Sequence, residues 1–344
     1  MQWLELVHFR AWKQFRLDLS PRRLYLQGPN GVGKTSILEA MFLMSRLHSF
    51  RTRQWREIVQ WGKRYWRVAS DVGAVEWREE GKGFFLPNGV PASAGELYGR
   101  VAAVYMSTAD AHWLLSGGEA RRAWLDGLIA LQEPGFMDVL RRWRRVLAQR
   151  NAWLRSETFD ARVGEAMEPI YLSAGWEVTE ARRQLFHRLT PRLRDLASAL
   201  SEGTGLQYGF DYRPCFEAKP VSLSDRWEQE RALGYSLQGP HRDDWWIVLN
   251  GLPLERYGSE GQVQIAALAI RLAELALIRD GKKGMPWLLM DDILAPLDAR
   301  RRDAFIRALP EDVAMVFASP SDMDSGLERR WKARLDLSTV LQTG

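Results

Sequence analysis

The sequence predicts an α/β fold interrupted by a helical insertion, and three observations predict it. A short apolar strand ends in a glycine-rich loop that runs straight into a helix at residues 24–47. The middle third has helical periodicity and no strand signal, and in the last third apolar strands return around a long helix.

Residues 3–9 alternate in and out as a strand, a polar kink follows, and Leu24-Tyr25-Leu26-Gln27 is a second, apolar strand. Helix formers then run over residues 35–47, with Ile37, Leu38, Met41, Phe42 and Met44 apolar. Over residues 66–89, short alternating runs broken by Gly73, Gly81, Gly83 and Asn88-Gly89 predict a small antiparallel sheet with tight turns. Residues 111–200 carry helical stripes such as Trp124, Leu125, Leu128 and Ile129, broken at Pro134-Gly135, while Pro191 starts or bends a further helix. Strands resume at residues 208–212 and 245–249, the latter closed by an Asn250-Gly251 turn. A helix over residues 259–279, a strand at 287–290 running into Asp291-Asp292, and a buried strand at 313–317 complete the pattern. The predicted division is residues 1–110 for the first part of an α/β head, 111–238 for an inserted, mainly helical arm, and 239–344 for the return of the head.

The 344 residues are 46% apolar and 26% charged, the balance of a globular chain with an adequate core. With one cysteine, Cys215, neither an internal disulfide nor a cysteine zinc cage can form, which suits a reducing compartment. No secretion signal is visible and no uninterrupted apolar stretch approaches a bilayer's thickness, so a cytoplasmic protein without a membrane partner is expected. The net charge of +5 permits binding to a polyanion without establishing it. Cations crowd the first 67 residues, and a second run spans Arg141, Arg142, Arg144, Arg145, Arg150 and Arg155; such runs are as often solvated faces as binding surfaces. The 16 tryptophans suggest base stacking less than core packing, because Trp124, Trp143 and Trp153 fall on helical stripes.

Gly28-Pro29-Asn30-Gly31-Val32-Gly33-Lys34-Thr35 matches the phosphate-loop pattern G-x-x-x-x-G-K-[ST], and it stands after a strand and at a helix start, where the chemistry needs it. Glycines let the backbone curl until its amides point at phosphate oxygens, and the helix start adds partial positive charge; Ser36 lies in that first turn. Lys34 is placed for the terminal phosphates and Thr35 for Mg²⁺, so a nucleotide and Mg²⁺ are expected. The strand at 287–290 delivers two acids: Asp291 for a magnesium-bound water, Asp292 to orient or deprotonate the attacking water.

Tyr257-Gly258-Ser259-Glu260-Gly261-Gln262 precedes the long helix, with Ser259 as a plausible N-cap and the glycines leaving amides open to an anion. It resembles the signature of ATP-binding-cassette proteins, followed in the expected order by the acidic strand and by Leu297-Asp298, which resembles their D-loop. That resemblance implies an ABC-type, Rad50/SMC-like P-loop ATPase head with an inserted helical arm domain. It also implies a homodimer in which Ser259, Gly261 and Gln262 of one copy cap the ATP held by Lys34 of the other. Leu115-Ser116-Gly117-Gly118-Glu119 looks closer to the signature by letters, yet it lies at the mouth of the helical insertion, far from the acidic strand. A transporter ATPase subunit would lack the insertion, and a P-loop kinase would have no use for a signature; both remain as alternatives.

Within the class, Phe9-Arg10, Leu38-Glu39-Ala40, Ser49-Phe50-Arg51-Thr52, Arg121-Arg122-Ala123-Trp124-Leu125-Asp126, Gln149-Arg150-Asn151 and Gly239-Pro240-His241-Arg242-Asp243-Asp244 resemble the RecF family through almost the whole chain. The resemblance implies slow, DNA-stimulated ATP hydrolysis, and binding to double-stranded DNA and to single-strand to double-strand junctions near the nucleoid. It further implies cooperation with RecR and RecO and delivery of RecA to gaps during recombination, repair and the SOS response. The chain departs from the family at Glu260, commonly glutamine, and at Ser107-Thr108-Ala109-Asp110, usually proline-containing. It also has Ala318-Ser319-Pro320-Ser321 where other cassette ATPases place a γ-phosphate-sensing histidine.

Overall fold

In the computed structural model the chain opens with β1 (Trp3–Phe9), β2 (Trp12–Asp18), β3 (Arg23–Gln27) and α1 (Lys34–Arg46). Next come β4 (Tyr65–Ser70), β5 (Gly73–Arg78), β6 (Gly81–Phe85), α2 (Ala94–Leu97), β7 (Ala103–Ser107) and α3 (Asp110–Leu115). The middle comprises α4 (Gly118–Gln132), α5 (Phe136–Leu154), α6 (Ala161–Leu200), β8 (Tyr208–Arg213), α7 (Trp227–Leu233), β9 (Asp244–Leu249), β10 (Leu252–Pro253) and α8 (Leu254–Tyr257). The chain closes with α9 (Glu260–Asp280), β11 (Trp287–Asp291), α10 (Ala299–Ala308), β12 (Ala314–Ser319), β13 (Ala333–Asp336) and a short helix, Leu337–Val340. Residues 1–133, 135–220, 222–281, 285–320 and 330–340 are described; Pro134 and Ser321, named above, lie outside them.

Two compact units result: Met1–Asp110 with Ile270–Gly344, and Ala111–Ala269. The first holds an antiparallel sheet, β2-β1-β4-β5-β6, and a fully parallel one, β13-β3-β12-β11-β7. Helix α1 is buried nearly all round, as a helix between two apolar faces must be: Ile37, Leu38, Met41 and Leu43 share one core with Leu4 and Leu6 of β1, Leu24 and Leu26 of β3, and Leu289 and Val316 of β11 and β12. The residues read from sequence as a polar kink form β2, registered against β1 from Trp3↔Asp18 to Phe9↔Trp12. The strand escapes the alternation rule because Lys13 and Gln14 are both exposed between buried Trp12 and Phe15.

In the second unit α6 runs unbroken through 40 residues, carrying both Pro169 and Pro191 in its interior, so Pro191 does not start a helix. The three-stranded sheet β10-β9-β8 belongs to this unit. Asn250 (φ 49°) and Gly251 (φ 83°) make the left-handed pair that turns β9 into β10. Residues 239–269, expected with the return of the head, cluster with the second unit because β9 pairs with β8 from Tyr208↔Leu249 to Arg213↔Asp244. The boundary falls inside α9, which contains an 18-residue window of mean hydropathy 1.5, apolar and long enough by composition to cross a bilayer. That window is 78% buried, and Arg271 and Glu274 on the same helix are ion-paired, as in a core helix.

Polar residues of the family-like motifs knit this second unit together. Arg182 of α6 reaches Asp126 at 2.8 and 3.0 Å and Asp243 at 3.0 Å, and Asp243 also accepts from Tyr212 at 2.6 Å and the Cys215 amide at 2.7 Å. Arg121 forks onto Asp244 at 2.9 and 2.7 Å, and Arg122 donates to the Asp243 carbonyl at 2.7 Å. Arg150 pairs with buried Glu230 at 2.6 Å, while Arg141 and Arg142 pair with Asp138 and Glu177. Three of the six arginines of the second basic run are therefore paired within the unit.

Candidate functional site

Parallel strands expose their carboxyl ends along one edge, and at that edge β3 delivers the loop Gly28 to Gly33 into the first turn of α1. Gly33 caps α1 in a left-handed conformation (φ 101°), and a Cβ there would sit 2.8 Å from the Trp12 ring. The Trp12 indole N–H donates to the Gly33 carbonyl at 3.3 Å, so β2 props the loop from behind. Lys34 is buried and donates from Nζ to the carbonyls of Gly28 at 2.5 Å and Pro29 at 2.9 Å. Burial lowers its pKa, and the carboxylates of Asp291 and Asp292 work against that drop.

The two acids arrive on β11, held in parallel register between β7 and β12. Thr35 donates its hydroxyl to Asp291 Oδ2 at 2.8 Å, and Tyr105 of β7 donates to the same oxygen at 3.2 Å. Burial pushes the Asp291 carboxyl above its ordinary range against the pull of those two hydroxyls and of Lys34. Asp292 is likewise pushed up, first by burial and then by the charge of Asp291, while Lys34 and the Ser319 hydroxyl pull it down. Its backbone is left-handed (φ 50°), and its amide donates to the Ala318 carbonyl at 2.9 Å. These groups line a cleft of about 500 Å³ whose wall includes Asn30, Lys34, Thr35, Asp291, Asp292 and Arg51. Ser36 also reaches this wall.

Three contributors have no separate sequence signal. Glu39 on α1 is fully buried, and it accepts from Arg10 at 2.6 and 2.9 Å and from the Ser49 hydroxyl at 2.5 Å, with Arg51 at 3.5 Å. One carboxylate thus orients two guanidinium groups that face the cleft. Each partner sits in a block quoted above, but only the fold reveals that one acid joins them. Tyr105 lies mid-strand and stacks on Phe50 at 3.7 Å, and nothing in its alternation marks it as polar lining. Ser319 stands at the end of β12, where a histidine was missed, and its hydroxyl meets Asp292 instead.

Lys34, Thr35, Asp291 and Asp292 are thus brought together in the first unit. Ser259, Gly261 and Gln262 belong to the second, at the exposed start of α9. There the Ser259 amide donates to Gln262 Oε1 at 2.7 Å and the Gln262 amide points back at Ser259 Oγ at 3.4 Å, a reciprocal cap. The rival Ser116 instead turns its hydroxyl onto the Trp113 carbonyl at 2.6 Å, closing α3.

A parallel sheet with a phosphate loop on one strand and paired acids on the next but one is the architecture of ABC-type P-loop ATPase heads. The head domain of an SMC protein from Pyrococcus furiosus, solved with ScpA, superposes with TM-score 0.54 at 16% identity, over 99% of this chain and 98% of that one. A solved structure of the recombination mediator RecF, described as RecF-ATP in the RecFOR pathway, superposes with TM-score 0.82 at 24% identity, over 94% of this chain and 92% of that one. In sequence, the DNA replication and repair protein RecF of Synechococcus sp. (strain JA-3-3Ab) is 32% identical over 341 residues, 91% of this chain and 89% of its own length. No family model matches. The chain belongs to the RecF family.

Proposed function

We propose that this protein is an ATP-dependent recombination mediator that binds DNA at single-strand gaps and stalled forks, closing as a homodimer on ATP and reopening after slow hydrolysis. The observation that carries the reading is the convergence of the Thr35 hydroxyl on Asp291 at 2.8 Å, beneath a phosphate loop and beside a second acid, Asp292. Hydroxyl and carboxylate oxygens are the hard donors Mg²⁺ takes. Bound there, Mg²⁺ supplies charge neutralisation to the triphosphate.

The protein's own residues divide the remaining work. Lys34 leaves the Gly28 and Pro29 carbonyls to meet the terminal phosphates, and the loop amides at the start of α1 cradle the oxygens between them. Asp292 orients the attacking water and accepts its proton, a task favoured by a carboxyl pKa raised toward the working pH. Ser259, Gly261 and Gln262 cap the phosphates held by a second copy, which couples nucleotide occupancy to dimerisation. The similar RecF structures, described as belonging to the RecFOR pathway, support cooperation with RecR and RecO; delivery of RecA and residence in the cytoplasm at the nucleoid complete the reading. In domain terms, the first unit is the ATPase head and the second, with the signature at its end, is the arm.

Sedimentation with ATP and gapped DNA tests the shared-site reading, with Ser259→Arg as control. The wild-type protein is expected to dimerise on ATP, whereas the variant folds, binds ATP and stays monomeric. A variant that dimerises normally would remove Ser259 from the interface and sink the reading.

A further inference from the structure

Trp61 is 98% exposed, the most exposed large apolar side chain among the described residues; Tyr257, the next, is 65% exposed. It sits on a β-turn in which the Lys63 amide donates to the Gln60 carbonyl at 3.0 Å and Gly62 takes the left-handed conformation (φ 76°) that a side chain would resist. No Cβ clash enforces that glycine, so the turn itself explains it. The turn is fastened at its base: the Gln60 amide donates to the His8 carbonyl at 2.8 Å, Gln60 Nε2 reaches the Ala11 carbonyl at 3.4 Å, and Phe9 bridges Val59. Trp61 is therefore presented on a rigid platform with only its two side-chain torsions to order.

The platform is cationic. Residues 53–64 contain Arg53, Arg56, Lys63 and Arg64 against one acid, Glu57, which accepts from the Thr52 hydroxyl. Lys63 and Arg64, two and three residues after Trp61, are exposed, and so is Lys13, two residues after the Ala11 carbonyl that takes the Gln60 side chain. Lys63 and Lys13 stand close enough to His8 that their charge, after burial, lowers its pKa. A lone apolar side chain on a surface needs no explanation, but a fully exposed indole on a fastened turn, with exposed cations following it in the chain, offers two kinds of contact. Its ring offers a stacking plane, and the ammonium and guanidinium groups of Lys63 and Arg64 offer phosphate contacts. A continuous duplex has its bases already stacked and would use only the cations. An unpaired base beside a duplex end would use both.

We propose that Trp61 is a base-stacking contact that engages an unpaired nucleotide where single-stranded DNA meets duplex, with Lys63, Arg64 and Lys13 holding the flanking phosphates. The proposal rests on the DNA-binding reading above and deepens it, because it names the residue that separates a junction from plain duplex.

The test compares binding of the full-length protein to gapped DNA and to blunt duplex of equal length at fixed salt. Trp61→Ala is expected to weaken gapped-DNA binding by about 5- to 150-fold and to leave duplex binding unchanged, while Trp61→Phe retains most of the affinity. Lys63→Ala with Arg64→Ala is expected to weaken both substrates and flatten the salt dependence. Independently of any variant's folding, 5-iodouracil at the first unpaired position is expected to crosslink to Trp61. Equal loss on both substrates, no loss on gapped DNA, or a crosslink confined to other residues overturns the proposal while leaving DNA binding intact. If Trp61→Ala changes only the protein's sedimentation without DNA, the surface meets a second copy and the proposal is likewise overturned. Failure of the wild-type protein to bind either DNA removes the parent reading as well.

Discussion

At Asp292, burial and the neighbouring Asp291 both disfavour charge, so the folded carboxyl holds its proton more tightly than the unfolded one does. Stability is greatest below the unfolded carboxylate value of about 3.9, falls as pH rises through the elevated folded value, and stays reduced above it because the native state then carries an unfavourable charge. Asp292→Asn is therefore expected to melt at a higher temperature than wild type at pH 7, with the difference shrinking toward zero as pH falls to about 4. The same variant is expected to bind ATP and dimerise yet hydrolyse about 10²- to 10⁴-fold more slowly. Scanning calorimetry across pH and single-turnover hydrolysis check the two halves separately. Normal hydrolysis by Asp292→Asn would remove this residue from the proton-transfer role.

Elements were legible where a local rule acts alone. The strand, glycine loop and helix at residues 24–46 could be read directly, because turn chemistry and helical periodicity both operate within a few residues. The same holds for the Asn250-Gly251 hairpin. Strand β2 was not legible, since its alternation breaks at Lys13-Gln14, and its pairing with β1 comes from tertiary context. Nor could the sequence show that Asp126 of α4 and Asp243, just before β9, face Arg182 of α6, because these residues meet only once the unit has folded. Their burial assigns them to holding elements in place. Arg182→Met is expected to cost about 3–5 kcal/mol, because Asp126 and Asp243 would keep their buried charges without a counter-ion; urea unfolding of the purified protein measures it. A loss below about 1 kcal/mol, the range of an exposed pair, would show that the cluster is solvated after all.

Across the whole molecule, the excess charge of +5 is modest, and the pairing of Arg141, Arg142 and Arg150 within the second unit removes part of what the sequence offered to DNA. The first unit keeps exposed cations at Arg53, Arg56, Lys63 and Arg64, so DNA affinity is expected to track that segment. A duplex-binding titration against salt should give a log–log slope of about −0.9 per phosphate neutralised, and substitution there should lower the slope more than substitution of Arg141 and Arg142. Equal effects from the two regions would place DNA on both units.

The strand order β13-β3-β12-β11-β7 carries one more consequence, for the way the protein is made. The strand that ends in the phosphate loop is among the first to leave the ribosome, yet both of its neighbours, β12 and β13, are encoded after residue 313. Throughout the synthesis of the helical unit, β3 must wait with both edges unclaimed. A nascent chain therefore owns a complete arm long before it owns a nucleotide pocket, and premature termination beyond the arm yields a product that has never been able to hold ATP.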